Sequence, residues 1–239
     1  WRTNLFAVSL DTAAPTAWNP PTFRTTTAGS ISALAVETNS LLVGGDFVSI
    51  AGQFRTNLAA IALDSTVVEA FAPNPNSGVS NIVVISNTVY VGGSFTSIGG
   101  VLRNRIGAVD RTTGLGILSW NPDAGATSGM RINALVRRGD MFYAGGQFNI
   151  LGGAFRTNGT SLIIATGQAG DWNPRFGGMV RSITVGDGLV LVGGDFLTVG
   201  GQPNPFFAAF DTTPEIVVSS MSTASGYLQF NLRASEGGV

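Results

Sequence analysis

The chain has no cysteine and no histidine among its 239 residues. Lack of cysteine excludes disulfides, thiolate metal sites and thiol nucleophiles. Lack of histidine removes the usual general base near neutral pH and the commonest metal ligand. Few enzymes manage with neither. Lysine is absent too, so all thirteen basic residues are arginine. Charged residues are 11% of the chain, against about 25% in ordinary globular domains. The formal net charge of −1 gives no electrostatic reason to expect nucleic acid or an anionic membrane as partner. No apolar run approaches the ~20 residues of a spanning helix, so membrane insertion is not expected. Low charge, no lysine and abundant Gly, Thr, Ser and Asn suit an extracellular or cell-surface setting. The chain opens at Trp1 with no visible signal peptide, and reads as a processed product or a piece of something longer.

What is present is repetition. A Gly-Gly-x-Phe signature occurs at Gly44-Gly45-Asp46-Phe47, Gly92-Gly93-Ser94-Phe95, Gly145-Gly146-Gln147-Phe148 and Gly193-Gly194-Asp195-Phe196. The copies lie roughly fifty residues apart, the period of a supersecondary unit stacked on copies of itself. One unit reads from Ile31 to Pro75. Ile31–Val36 alternates as a first strand, and Leu41–Val43 is a buried second strand ending at the Gly pair. Leu58–Leu63 is a third strand closed by Asp64, and Val67–Phe71 a fourth. No segment carries a sustained helical period. Four short strands per unit of this length is the pattern of a propeller blade.

The recurring residues have structural uses. The Gly pair permits positive φ or close backbone approach. The Phe two positions after the first Gly can fill the gap between neighbouring units, a burial worth about 1.5–3 kcal/mol. Asp11, Asp64, Asp110 and Asp211 can bond turn backbone. The Asn-Pro steps that end units force an extended residue before the chain reverses.

Five elements recur in one order: Gly-Gly-x-Phe, a second Gly-Gly (Gly99-Gly100, Gly152-Gly153), Arg-Thr-Asn (Arg55-Thr56-Asn57, Arg156-Thr157-Asn158), a strand-end Asp, and Trp-Asn-Pro (Trp18, Trp120 and Trp172 with the residues after them). In this the chain resembles the delta-60 repeat family of bacterial β-propellers, over residues 1 to about 212. It is more distantly similar to kelch propellers, which lack the Phe at this spacing. The resemblance implies a large secreted or surface protein with no assigned catalysis and no active-site residues to carry over. Some copies depart from the pattern. Ala72-Pro73 replaces Trp-Asn, Pro203-Asn204-Pro205 replaces Arg-Thr-Asn, and Thr166 replaces the strand-end Asp.

The expected fold is therefore all-β, a propeller of four-stranded antiparallel blades, four or five in number with five preferred. Residues 1–212 form the array: a partial unit 1–20, full units about 21–75, 76–122 and 123–174, and a partial unit 175–212. Trp1-Arg2-Thr3-Asn4 matches Phe54-Arg55-Thr56-Asn57, so the first unit has only its third and fourth strands. Residues 213–239 read as a C-terminal β segment. In five blades, Ile216–Ser220 and Tyr227–Leu232 complete the partial blades. The segment also reads as the start of an immunoglobulin-like module.

Candidate sites follow from the repeat. Gly-Gly-Asp-Phe invites comparison with the Gly-Gly-Asp-Glu-Phe motif of diguanylate cyclases. The Asp slot carries Ser94 and Gln147 in sister copies, which makes it a variable position beside a structural Gly pair. Asp46 and Asp195 could hold calcium only if their loops converge, since calcium takes six to eight oxygens. Arg2, Arg55, Arg103 and Arg156 are equivalent and belong on one rim. They either receive acidic glycans or carboxylates or bond loop carbonyls. Trp18, Trp120 and Trp172 either stack sugars or pack between blades. Asn158-Gly159-Thr160 fits a glycosylation sequon. No two of the fourteen carboxylates are marked as an acid–base pair.

These observations predict a non-catalytic extracellular or cell-surface scaffold, part of a larger protein or assembly, with protein partners or self-association and no cofactor. A lectin-like glycan-binding propeller and a self-assembling filament subunit are the alternatives.

Overall fold

The computed structural model describes residues 5–20, 29–186 and 188–211, and the backbone of 215–224 and 227–235. Four three-stranded antiparallel sheets follow one another. The first holds β1 (Ser30–Val36), β2 (Ser40–Asp46) and β5 (Leu58–Ala62), with the small hairpin β3 (Ser49–Ile50) and β4 (Gln53–Phe54) between β2 and β5. The second holds β6 (Val79–Ile85), β7 (Thr88–Gly93) and β10 (Ile106–Asp110), with hairpin β8 (Ser97–Ile98) and β9 (Val101–Leu102). The third holds β11 (Arg131–Arg138), β12 (Met141–Gln147) and β15 (Gly159–Ile163), with hairpin β13 (Ile150–Leu151) and β14 (Ala154–Phe155). The fourth holds β16 (Val180–Gly186), β17 (Leu189–Gly194) and β20 (Phe207–Asp211), with hairpin β18 (Thr198–Val199) and β19 (Gln202–Pro203). The first strands β1, β6, β11 and β16 lie side by side in that order.

The second Gly pair makes the small hairpins. Ala51-Gly52, Gly99-Gly100, Gly152-Gly153 and Gly200-Gly201 all have positive φ at both positions. That is the type I′ geometry, whose twist matches the flanking strands of a two-residue loop.

The first Gly pair works by close approach. A Cβ on Gly44 would strike Val79 of the next sheet, and one on Gly45 would strike the Ser30 carbonyl of its own. Gly92 and Gly145 face Ile132 and Val180 in the same way. The pair lies at the end of the second strand, as the last two residues of β7 and β17 and one residue short of the end of β2 and β12. Opposite it, every first strand has one extra residue, at Ile31/Ala33, Val79/Asn81, Ile132/Ala134 and Val180/Ser182. Each bulge bends the strand where the backbones come closest.

The core lies between sheets. Leu42, Leu58, Ala60 and Phe71 of the first sheet meet Val89, Val91, Phe95 and Ile98 of the second. Ile106, Ala108 and Trp120 meet Phe142, Phe148 and Leu151 of the third, and Ala134 of the third meets Val190, Val192 and Phe196 of the fourth. Leu5 and Trp18, from the segment before β1, cover Val43, Phe47 and Ile61. The signature Phe therefore plugs each seam, as its spacing predicts. All four copies are buried.

The expected fourth strand is corrected. It is reduced to single bridges at Ile61↔Val68, Val109↔Gly116 and Leu162↔Ala169, with Val8↔Pro15 as the counterpart in the N-terminal segment. The expected third strand Leu5–Leu10 is likewise no more than that bridge. The two C-terminal strands β21 (Glu215–Ala224) and β22 (Tyr227–Ser235) pair with each other. Among the described residues, no pairing joins either of them to a blade.

Candidate functional site

Antiparallel connectivity sorts the loops onto two faces. The small hairpins, the ends of the second strands and the starts of the first strands share one face. The turns after the first and third strands share the other.

The arginines on the hairpin face are not free. Arg55 Nε donates to the Phe71 carbonyl at 3.2 Å and its Nη2 to the Glu69 carbonyl at 2.8 Å. Arg103 donates to the carbonyls of Trp120, Leu102, Ile117 and Leu118. Arg156 reaches the carbonyls of Phe155 and Gly170 and the Thr160 hydroxyl. Of the two uses expected of Arg55, Arg103 and Arg156, bonding to loop carbonyls is the one these contacts display: each pins the outer segment to its own blade. The guanidinium satisfies carbonyls of the outer segment. Burial pushes the Arg103 pKa down, opposed by Asp123. Arg2 lies outside the described residues.

The Asn of Arg-Thr-Asn closes the same corner. Asn57 accepts from the Phe47 amide at 3.0 Å and donates to the Pro75 carbonyl at 2.9 Å. Asn158 does the same with Phe148 and Phe176. Both are left-handed, at φ 62° and 64°, a conformation asparagine tolerates well. This use of Asn158 places the sequon asparagine in a structural corner.

The tryptophans are seam residues. Trp120 sits edge-on to Tyr90 and Phe142, and its Nε1 donates to the Ile164 carbonyl at 2.9 Å. Trp172 packs on Tyr143, Phe176 and Phe210. Its indole N–H is buried without a partner among the described residues. The carbonyl equivalent to that of Ile164 belongs to Thr212, outside them. The sugar-stacking reading of Trp18, Trp120 and Trp172 gives way to packing between blades.

Asp195 is held by Arg181 in a two-pronged ion pair at 2.7 and 2.6 Å. The hydrogen bond from Arg181 holds its carboxyl below the usual range. Asp46 is exposed. Among the described residues no three acidic side chains gather in a group that could hold a metal.

One recurring residue was overlooked by sequence reasoning. The position just before the pinning arginine carries Phe54, Leu102 and Phe155, which are 70%, 80% and 75% exposed. Pro203 is exposed at the equivalent place in the fourth unit. The signal was present, because an apolar residue precedes the arginine in every Arg-bearing copy. It sits on the strand β4, β9 or β14 beside the hairpin turn, where no neighbouring blade covers it.

The opposite face is polar. Arg111 bonds Glu37 at 2.6 Å and Glu69 at 2.8 Å, joining the second unit to the first. Glu69 also accepts from the Ser40 hydroxyl. The Arg111 guanidinium lies 5.1 Å from the Phe71 ring centroid. Burial opposes its charge, yet the bonds to Glu69 and Glu37 outweigh that and raise its pKa.

No protein-family model matches the chain, and no curated protein matches it. Solved structures do. The β-propeller domain of Myceliophteria thermophila Cps50 (Swd1) superposes with a TM-score of 0.54 at 11% identity, covering 98% of this chain and 77% of that one. The Dos1 propeller superposes at 0.51 with 13% identity, over 80% of this chain, which spans 44% of it. The computationally designed Ika4 protein superposes at 0.51 with 14% identity, over 83% of this chain and 100% of its own. The protein is a β-propeller.

Proposed function

We propose that this propeller is a non-catalytic interaction module that works outside the cell, in the manner expected of the delta-60 repeat proteins it resembles. The observation that carries the reading is the recurrence of Phe54, Leu102 and Phe155, exposed and apolar, at one place on successive blades. Exposed apolar side chains grouped on one face mark protein contact surfaces, and aromatic anchors contribute most to such contacts. In support, Arg55, Arg103 and Arg156 bond carbonyls of their own blades, and Trp120 and Trp172 pack between blades. The test has two arms. Turnover of any member of a broad glycan and ester panel by purified protein would overturn the non-catalytic reading. Crosslinking to secreted proteins of the source cell should yield a partner that is lost when Phe54, Leu102 and Phe155 are all changed to Ser. An unchanged partner profile would remove that face.

A second reading is self-association. Phe207 and Ala209 of the fourth sheet are exposed, whereas their counterparts Leu58, Ala60, Ile106 and Ala108 are fully buried against a next blade. The N-terminal segment exposes Phe6 and Val8, at positions equivalent to Ala59 and Ile61. One chain thus carries both halves of the seam used internally, and a second copy could join them head to tail. Sedimentation should show concentration-dependent association that Phe207→Asp abolishes. A monomer at all concentrations would remove this reading.

A further inference from the structure

The two inner corners that flank the seam between the second and third blades differ from every sister corner. Where the other units carry Asn57, Asn158 and Phe206, the second unit carries Arg105. Where the others carry Ser30, Gly78 and Met179 at the start of the first strand, the third unit carries Arg131. The variable slot after the Gly pair, occupied by Asp46, Gln147 and Asp195 elsewhere, holds Ser94 here. These residues meet. Ser94, Arg105, Ser128, Gly129, Met130 and Arg131 line one depression of about 380 Å³ on the hairpin face.

Its charge is uncompensated. Arg105 is 7% exposed. It donates to the carbonyls of Ser94, Phe95, Ala126 and Thr127, which orient the guanidinium but do not neutralise it. Its Nε has no partner among the described residues. Arg131 is exposed and makes no ion pair among the described residues. No acidic side chain lines the depression. At the fourth blade, where Asp195 fills the variable slot, it neutralises the nearby Arg181 in an ion pair. Ser94 leaves the same slot neutral, so the depression is open to an anion from solution.

We propose that this depression binds the anionic group of an acidic saccharide residue. A carboxylate or sulfate ester would sit against Arg131 and the field of the fixed Arg105, since planar guanidiniums favour such oxyanions. The Ser94 hydroxyl already bonds the Ser77 hydroxyl and the Gly78 carbonyl and keeps a lone pair to accept from a ring hydroxyl, while the Ser128 hydroxyl can donate and accept. The volume lies at the lower end of the range for small-ligand pockets, enough for one sugar residue. The site is separate from the apolar hairpin tips and does not depend on their role.

The test is titration of the intact chain with four probes: a glucuronate-containing tetrasaccharide, a sulfated disaccharide, neutral cellotetraose and a tetraglutamate peptide. Binding of the glucuronate or the sulfated probe is expected, with the stronger of the two identifying the anion. Arg131→Ala should weaken it at least tenfold. Ser94→Asp should abolish it, because it installs the residue that sister units carry at that slot and so keeps the fold. Circular dichroism confirms folding of both variants. Absence of binding by either acidic saccharide would overturn the proposal. So would equal binding of cellotetraose or tetraglutamate, or affinity unchanged in folded Arg131→Ala and Ser94→Asp.

Discussion

The indole N–H of Trp120 donates to the backbone carbonyl of Ile164 across the seam between the second and third blades, at 2.9 Å. The first seam solves the same problem with other chemistry. Phe71, and not Ala72 as the sequence alignment of the units has it, stands in the tryptophan's place there, since its carbonyl accepts from Arg55 as that of Trp120 does from Arg103. Arg111, at the position of Ile164, lies over the Phe71 ring while pairing with Glu37 and Glu69. Loss of an indole donor and gain of a cation belong to one local exchange.

Trp120→Ala should destabilise the fold by about 3–5 kcal/mol, the usual cost of emptying a large buried aromatic site. Trp120→Phe keeps most of the packing and removes the donor to Ile164, so its cost should be nearer 0.5–1.5 kcal/mol. Urea unfolding of the two variants separates the terms. Equal losses would show that the hydrogen bond to Ile164, and not the packing, carries the contribution of Trp120.

Arg103→Ala should release the outer segment before the blade unfolds. Four carbonyls lose their donor, at a cost of about 1.5–3 kcal/mol. Hydrogen exchange should quicken at Ile117 and Leu118 and at their partner Ala108, with β6 and β7 unchanged.

The first glycine of the pair should tolerate alanine only where no next blade presses on it. Gly92→Ala drives a Cβ into Ile132 and should cost about 1–3 kcal/mol. Gly193→Ala meets only the Ser182 hydroxyl at 3.1 Å and should fall within about 0.5 kcal/mol of wild type. Thermal melts of the pair decide it.

Arg111→Leu leaves Glu37 and Glu69 facing each other and should lower stability by about 1–3 kcal/mol at neutral pH. Glu37→Gln together with Glu69→Gln should restore part of the lost stability in the Arg111→Leu background, read by thermal melts. No recovery would mean that packing on Phe71, and not charge, is what Arg111 supplies.

Asp110 accepts from the backbone and hydroxyl of Thr113 and from the Thr112 amide, which hold its carboxyl below the usual range. A pKa depressed by folding contributes stability above the unfolded value and loses it as pH falls through the folded one. Asp110→Asn should therefore flatten the acid limb of a stability–pH curve, and leave its slope near neutral pH unaltered.

Much of the blade was legible because its causes are local. Ala51-Gly52 and Gly99-Gly100 can be read as hairpin turns since two adjacent small residues suffice for that geometry. Ile31–Val36 alternates because one strand sees its own two faces. Phe95 could be placed at a seam because spacing alone puts it beyond the Gly pair. The fourth strand was over-read: Val67–Phe71 has strand-like residues, but it pairs only at the bridge Ile61↔Val68, and Arg55 bonds its carbonyls at Glu69 and Phe71. The exposed Phe54, Leu102 and Phe155 were passed over because exposure depends on whether a neighbour arrives, and nothing beside them in the chain says so.

The sequence by itself determined the repeat, the order of strands within it, the turns, and which aromatic residues must be buried. These depend on periodicity and on the conformational range of glycine, proline and asparagine, both of which act over a few residues. Only the tertiary structure decided what Gly44 avoids, which carbonyls Arg103 and Trp120 bond, and why Arg105 and Arg131 share a depression with no acid. Every residue offers a carbonyl and every seam joins positions tens of residues apart. The choice among equivalent partners is made when blades pack, and no local pattern records it.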